Sequence, residues 1–322
     1  MKIVLVGGSG FVGTHLIDSL LQVSGVEVYN LDKQLSAKYP ECSIIADVCD
    51  WTTLAPHMKE ADAVVLLAAE HRDDVVPVSL YYEVNVEGMR NTLKAMDING
   101  VKQLIFTSSV ALYGLDKQNP DEHAAIEPFN DYGKSKWQAE QVLDVWYRNH
   151  RDWQIQVIRP TVIFGEGNRG NVYNLLSQIA DGKFMMIGNG DNRKSMAYVG
   201  NIVRFMQFLL LNKSGEGYEV YNYADKPDFT TKDLVKHTGE ILGKRIPTIR
   251  IPYSLGMLAG YFFDILAKIS GKKLNISSIR VKKFCATTQY SASKAMALGF
   301  TPPYKLEEGL RRMLNAEFGK GK

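Results

Sequence analysis

Apolar positions along the chain fall into two rhythms. Residues 3–6, 26–31, 43–46, 63–69, 103–108 and 155–158 are short, near-continuous apolar runs, as expected of strands buried on both faces. Between them, residues 11–23, 81–98 and 132–149 carry apolar side chains at helical spacing. Strands alternating with helices predict an α/β protein on a doubly wound parallel sheet. The second half is less regular. Glycine clusters at 165–170, 182–190 and 215–217 mark loops, and residues 230–242 and 306–318 read as helices. No internal repeat or low-complexity segment interrupts the pattern.

Composition narrows the class. With 322 residues, 45% of them hydrophobic and 23% charged, the chain has ample length to bury a core and is neither disordered nor fibrous. Cys42, Cys49 and Cys285 show no CxxC spacing and no even pairing, which fits a reducing compartment rather than a disulfide scaffold. The six histidines are scattered, so no metal site is expected. The first apolar run is too short for a signal peptide and passes straight into glycines, which places the protein on the cytoplasmic side. Charge is divided: residues 1–150 hold 12 basic against 21 acidic side chains, a net of −9, and residues 151–322 hold 26 against 14, a net of +12. A basic second half points to an anionic ligand or surface.

The first run ends in Gly7-Gly8-Ser9-Gly10-Phe11-Val12-Gly13, a G-x-x-G-x-x-G turn between strand and helix. Gly7 allows the turn, Gly10 lets a pyrophosphate approach the backbone, and Gly13 lets the helix pack closely. The N–H groups opening the helix then face the phosphates. Asp32 ends the second run 19 residues after Gly13, about the spacing at which a carboxylate meets the adenosine ribose. It would repel a 2′-phosphate, so NAD is expected over NADP. Asp47-Val48, after the third run, is placed to face the adenine. For Asp47 a solvent-facing carboxylate at a strand end is an equally good reading.

A second constellation carries chemistry. Tyr132 and Lys136 stand at i and i+4 on one helical face. A phenol with a pKa of about 10 is a poor base at neutral pH. A neighbouring ammonium favours the phenolate and lowers that pKa, giving a general acid/base. Ser109 lies just past the strand 103–108, at the end of the sheet where open α/β folds place their sites.

Together these residues resemble the extended short-chain dehydrogenase/reductase family of nucleotide-sugar epimerases and dehydratases. The matches are Gly7, Gly10, Gly13, Asp32, Asp47, Ala68-Ala69, Asn85 in Asn85-Val86-Glu87-Gly88, Ser109, Tyr132, Lys136 and Arg159-Pro160, extended by Gly188-x-Gly190 to Tyr198-Val199. The resemblance implies a Rossmann NAD-binding domain over residues 1–165 and a smaller mixed α/β substrate domain over 166–322, with an interleaved boundary. Phe11, Val12, Val48, Ala68, Ala69, Asn85 and Arg159 would join the glycines, Asp32, Asp47, Tyr132 and Lys136 around NAD. Ser109 would orient the substrate, Tyr132 act as acid/base, and Lys136 hold the nicotinamide ribose. Asn174 matches a position that contacts substrate diphosphate. Lys194 falls where the family usually has Arg, and Asn201 where it usually has Asp. The family's 4,6-dehydratases follow the hydroxyl residue with Asp-Glu. Here Val110-Ala111 follows Ser109, which implies oxidation at one carbon rather than dehydration. Dimers are common in the family.

One stretch stands apart. Residues 255–269 are mostly apolar, and residues 265–306 contain no acid but hold Lys268, Lys272, Lys273, Arg280, Lys282, Lys283, Lys294 and Lys305. The apolar run is too short to span a bilayer needing about 20 residues. It either packs as a buried helix or lies at a membrane interface with cations on headgroups. The stretches 68–74, 129–140, 167–174 and 280–289 are similar to a branch of the family that acts on N-acetylglucosamine carried by polyprenyl diphosphate in bacterial O-antigen synthesis. That similarity implies a lipid-linked sugar substrate and a peripheral location at the cytoplasmic face of the inner membrane, with residues 251–284 facing the lipid. Arg280 and Lys282 would then meet the diphosphate. A soluble UDP-sugar substrate and a non-catalytic NAD-binding role are the rival readings. Nothing resembles a nucleic-acid-binding signature. The charged cluster Glu70-His71-Arg72-Asp73-Asp74 reads equally as part of a sugar pocket or as a polar surface loop.

Overall fold

The computed structural model describes residues 1–72, 75–115, 117–212, 217–245, 250–270 and 277–319. Its strands are β1 (Lys2–Val6), β2 (Glu27–Asp32), β3 (Ser43–Ile45), β4 (Ala63–Leu66), β5 (Gln103–Thr107), β6 (Gln154–Pro160), β7 (Val162–Phe164), β8 (Met186–Ile187), β9 (Arg193–Tyr198), β10 (Tyr218–Tyr223), β11 (Asp225–Thr230) and β12 (Arg250–Ile251). Seven form the central sheet in the order β10-β6-β5-β4-β1-β2-β3, every neighbouring pair parallel. The order reverses at β1, which makes the crevice beyond the ends of β1 and β4 the natural ligand site. Two small sheets, β11-β9-β7 and β12-β8, lie outside it.

The runs of the first half are strands because each side of the sheet must be covered. Ile3 and Leu5 enter one core cluster, Val4 and Val6 the other, as the two-residue period requires. The first cluster is closed by the helices Phe11–Leu21 and Val199–Leu211, which pack on each other. The second is closed by Gly88–Asn99 and Asp131–Arg148 through Met89, Leu93, Ala139 and Leu143. Register brings the functional ends together. Val6 pairs with Leu31 and with Leu66, so Gly7, Asp32 and the segment after Leu66 leave the sheet side by side.

Three expectations change. The helix expected over 81–98 is a helix Ser79–Tyr82, a π-helical turn Glu83–Glu87 and a helix Gly88–Asn99. Asn85 lies in the widened turn and its side chain is held from two sides, the kind of demand that π-turns serve. The fourth run ends as a strand at Leu66, because the N–H groups of Leu67 and Ala68 both turn to the Val6 carbonyl, each at 2.8 Å. The second half is more helical than its periodicity indicated, with helices at Asn171–Ala180, Val199–Leu211, Tyr253–Ser270 and Ser278–Cys285.

Beneath the strand ends lies a buried polar network. Arg159 on β6 pairs with Glu140 of the helix Asp131–Arg148, Nη2 to Oε2 at 2.5 Å and Nε to Oε1 at 3.0 Å. Glu140 also accepts from the Ser108 hydroxyl. Arg159 Nη1 donates to the Tyr113 hydroxyl at 2.7 Å, which donates to Asn222 Oδ1 at 2.8 Å on β10. Burial works against the guanidinium's charge, but the Glu140 carboxylate outweighs it and holds Arg159 above its usual pKa. Glu140→Gln leaves a buried guanidinium without its counter-charge and should cost roughly 3–5 kcal/mol in urea unfolding. The double change Glu140→Leu/Arg159→Met should recover most of that loss. Equal loss in both variants would remove the charge pair as the cause.

Candidate active site

The glycine turn is the best-defined part of the site. Gly7 has φ +88°, and a Cβ there would strike the Ala68 backbone at 2.4 Å. Gly13 lies so close to Gly8 that a Cβ would stand 2.4 Å from its Cα, so the close approach is to the turn itself. Above Gly10 the space is open, the nearest atom to a Cβ being the Gly7 carbonyl oxygen at 4.0 Å. That is the cradle a pyrophosphate needs against backbone N–H groups. Phe11 and Val12 begin the helix beside it, each partly buried.

Asp32 faces the turn. Its Oδ2 accepts from Ser9 N–H at 2.9 Å and its Oδ1 from Gln34 N–H at 3.2 Å. A residue that the sequence reading passed over supports it. Asn30 is wholly buried, accepts from Gly8 N–H at 2.8 Å and donates to the hydroxyls of Ser9 and Ser43, each at 2.9 Å. Its signal was an amide between the apolar Val28 and Leu31, in the middle of a strand whose two charged residues stand at its ends. Further along the crevice, exposed Asp47 accepts from Cys49 N–H at 2.9 Å, and Val48 packs where a Cβ on Gly88 would meet it at 2.9 Å. Ala68 and Ala69 follow β4 next to Gly7.

The Ser109, Tyr132 and Lys136 positions converge. Asn130 caps the helix Asp131–Arg148 by accepting from Gly133 N–H at 2.9 Å, which starts the helix one residue before Tyr132. Ser109, just past β5, accepts from Ala111 N–H at 3.1 Å, and its hydroxyl lies near enough to the Tyr132 side chain to act on its titration. Lys136 is buried, with Nζ donating to the Thr107 carbonyl at 2.9 Å and lying 5.0 Å from the Phe106 ring centre. Thr107 Oγ1 is buried with no hydrogen-bond partner among the described residues.

The electrostatics differ from expectation. Tyr132 is held above the usual phenol pKa, because burial outweighs the opposing effect of the Ser109 hydroxyl. Burial also brings Lys136 down to about 7, against the attraction of Glu140. The ammonium is directed at Thr107 rather than at Tyr132, so it does not lower the phenol's pKa as its spacing suggested.

Other expected residues lie elsewhere. Asn85 accepts from Glu70 N–H at 2.9 Å and donates to the Glu70 carbonyl at 3.0 Å and the Ser135 hydroxyl at 2.8 Å. It therefore ties the loop after β4 to the helix Asp131–Arg148. Arg159 points into the buried network with Glu140 and Tyr113, not into the crevice. Asn174 is exposed in the first turn of the helix Asn171–Ala180. Lys194 donates to the carbonyls of Lys283 and Ala286 at 2.9 and 2.6 Å, and burial lowers it to about 8. Asn201 is paired both ways with the Tyr304 backbone. Arg280 and Lys282 are exposed on the helix Ser278–Cys285, and Lys283 lies 5.2 Å from the Phe129 ring centre. In the charged cluster, Arg72 grips the buried Glu70 carboxylate through Nε at 3.0 Å and Nη2 at 2.9 Å. Asp73, Asp74, Lys272 and Lys273 fall outside the described residues.

A Rossmann sheet with a glycine cradle, an aspartate at the end of the second strand and a Ser–Tyr–Lys set defines a dinucleotide-dependent enzyme of the short-chain dehydrogenase/reductase class. The chain belongs to the NAD dependent epimerase/dehydratase family, whose model matches residues 3–224, and NAD is its cofactor. It is 58% identical over 318 residues to the N-acetyl-alpha-D-glucosaminyl-diphospho-ditrans,octacis-undecaprenol 4-epimerase of Escherichia coli O157:H7, covering 98% of this chain and 95% of that one. It is 29% identical to the UDP-glucose 4-epimerase of Vibrio cholerae, over 98% and 95% of the two chains. Among solved structures, the UDP-glucuronic acid 4-epimerase of Bacillus cereus in complex with NAD superposes with a TM-score of 0.78 at 21% identity, over 98% of each chain. At that identity the likeness is one of fold.

A lysine that holds its proton less tightly when folded makes stability rise with pH between its folded and unfolded pKa values. For Lys136 that window opens at about 7. The stability of the cofactor-free protein relative to Lys136→Met should therefore increase from pH 7 to about pH 9. A flat difference in urea midpoints across that range would show that folding does not lower the Lys136 pKa.

Proposed function

We propose that the chain is an NAD-dependent C4 epimerase that interconverts N-acetylglucosamine and N-acetylgalactosamine on undecaprenyl diphosphate, supplying O-antigen synthesis. The observation that carries the reading is the approach of Ser109 to Tyr132 in a chain that also holds an open glycine cradle and is 58% identical to an enzyme named for that lipid-linked substrate. Residues 1–165 hold the cofactor and residues 166–322 the substrate. The protein works at the cytoplasmic face of the inner membrane, where such a lipid presents its sugar.

When bound, NAD supplies the acceptor and donor of the C4 hydride. The chain's own residues move the proton. Tyr132 takes it from the C4 hydroxyl and returns it to the same oxygen after the 4-keto sugar has turned; the face changes for the hydride, not for the proton. A phenol raised by burial holds its proton in the resting protein, so the phenolate that can act as base would form, with loss of that proton to solvent, when the positively charged nicotinamide binds beside it. The Ser109 hydroxyl opposes that rise, and it is placed to bond the reacting oxygen as well. Lys136, fixed by Thr107, stands at the nicotinamide ribose. Asp32 binds the adenosine ribose. Asn174, Arg280 and Lys282 offer polar groups to the diphosphate, and Lys194 holds the segment that carries Arg280 and Lys282.

Labelled undecaprenyl-diphosphate-GlcNAc and labelled UDP-GlcNAc, each incubated with the purified protein, separate the substrate readings. GalNAc should form on the lipid. Conversion of the nucleotide sugar alone would make the protein a soluble epimerase. Tyr132→Phe should bind NAD normally and lose at least about 100-fold in turnover; undiminished turnover would take Tyr132 out of the mechanism. Asp32→Ala should narrow the preference for NAD over NADP, and an unchanged ratio of dissociation constants would refute the ribose assignment.

A further inference from the structure

The helix Tyr253–Ser270 turns its apolar side outward. Its only buried residues are Gly256 and Gly260. A Cβ at Gly260 would come within 2.7 Å of Ser278, and one at Gly256 within 2.7 Å of Ile187. Asp264 accepts from the Ser278 N–H at 3.2 Å and from its hydroxyl at 2.5 Å. Positions 256, 260 and 264 share one helical face, and that face packs on the helix Ser278–Cys285. The opposite side presents Leu255, Leu258, Phe262, Ile265, Leu266 and Ile269, with Leu258 66% and Ile269 78% exposed. No charge interrupts it. The helix carries only Asp264, committed to Ser278, and Lys268 in its last turn. A continuous apolar surface of this kind marks an interaction site.

Charge selects the occupant. Residues 265–306 contain eight Lys and Arg and no Asp or Glu, and Lys268, Arg280 and Lys282 are exposed. A second copy docked through the same face would bring like charges together, which costs binding energy. Anionic headgroups above an acyl layer satisfy both the apolar face and its cations. Among the described residues no helix is long and apolar enough to cross a membrane.

We propose that the helix Tyr253–Ser270 lies in the plane of an anionic bilayer, its Leu258, Phe262, Ile265 and Ile269 face among the acyl chains and Lys268 on the headgroups, with Arg280 and Lys282 left at the membrane edge of the cleft for the diphosphate of the lipid-linked sugar. This rests on the reading of the substrate as a membrane lipid, and it adds how the cleft is delivered to it. The supporting helix Ser278–Cys285 is tied to β9 through Lys194 and Asn192, which donate to its terminal carbonyls. Its Lys283 reaches Phe129, just ahead of the helix Asp131–Arg148. The lipid-facing surface and Tyr132 are thus one short helix apart.

Flotation of the full-length protein with vesicles of phosphatidylcholine alone or with added phosphatidylglycerol tests this. The protein should float with the anionic vesicles, less so at high salt. Phe262→Asp/Ile265→Asp should bind them at least about tenfold more weakly, while NAD binding and epimerisation of a short-chain, water-soluble prenyl-diphosphate sugar stay unchanged. Equal flotation of the variant, or no flotation of the parent, would overturn the proposal. So would a parent dimer in solution that the variant dissociates, since a second copy would then cover the face. Flotation as expected without any turnover of the lipid-linked sugar would leave the membrane contact standing and sink the substrate reading instead.

Discussion

The site depends on one buried charge pair. Glu140 and Arg159 meet beneath the ends of β5 and β6, and through them the helix Asp131–Arg148 is fixed to the sheet at a point two turns beyond Tyr132. Neither charge has water to fall back on, so each needs the other. The pair gathers further polar groups that would otherwise be stranded. Ser108 reaches it from the strand end, Tyr113 from the turn after Ser109, and Asn222 from β10 through Tyr113. The segments that bear Ser109 and Tyr132 are therefore joined below the cleft as well as across it. A positioning frame of this kind holds a reacting geometry without placing loops in the substrate's path.

Above that frame, burial governs the chemistry. The same desolvation that raises Tyr132 brings Lys136 toward neutrality. Both groups are thus held in their uncharged forms more readily than in water, and charge must come from what binds beside them. The glycine turn follows the opposite principle. It is rigid because Asn30 and Asp32 satisfy its N–H groups from the side, yet its face above Gly10 is left bare. Rigid backing with an open front is how a backbone can meet a phosphate without reorganising.

Much of this was legible in the sequence, for identifiable reasons. Strands buried on both faces need unbroken apolar runs, so the first six strands and the long helices after β1 and β5 could be read directly, while the short helix Trp51–Leu54 was not. The glycine turn and the i, i+4 pair of Tyr132 and Lys136 are local patterns, the first following β1 and the second reaching the end of β5 through Lys136. What escaped was non-local. The widened turn at Glu83–Glu87 exists because Asn85 must satisfy Glu70 and Ser135 at once, a demand invisible at one position. Arg159 and Lys194 stood at plausible positions, but their partners, 19 residues back and some 90 residues ahead, turn them into the frame. The direction of the Tyr132 pKa was missed because spacing gives proximity to Lys136 but not the depth of burial. Residues 253–270 stayed ambiguous since an apolar helix looks the same in sequence whether its face is covered or bare.

The central sheet takes its last strand, β10, from Tyr218–Tyr223, and one of its covering helices from Val199–Leu211. This has a bearing on how the protein is made. A nascent chain that has emerged only as far as residue 165 holds β6 as a naked edge and one sheet face without its lid. Such edges invite pairing with other chains. The nucleotide-binding layer cannot close until synthesis has passed residue 223, so the two halves mature as a single cooperative unit. A fragment cut at the apparent domain border would be a poor expression product, with the exposed β6 edge as its route to aggregation.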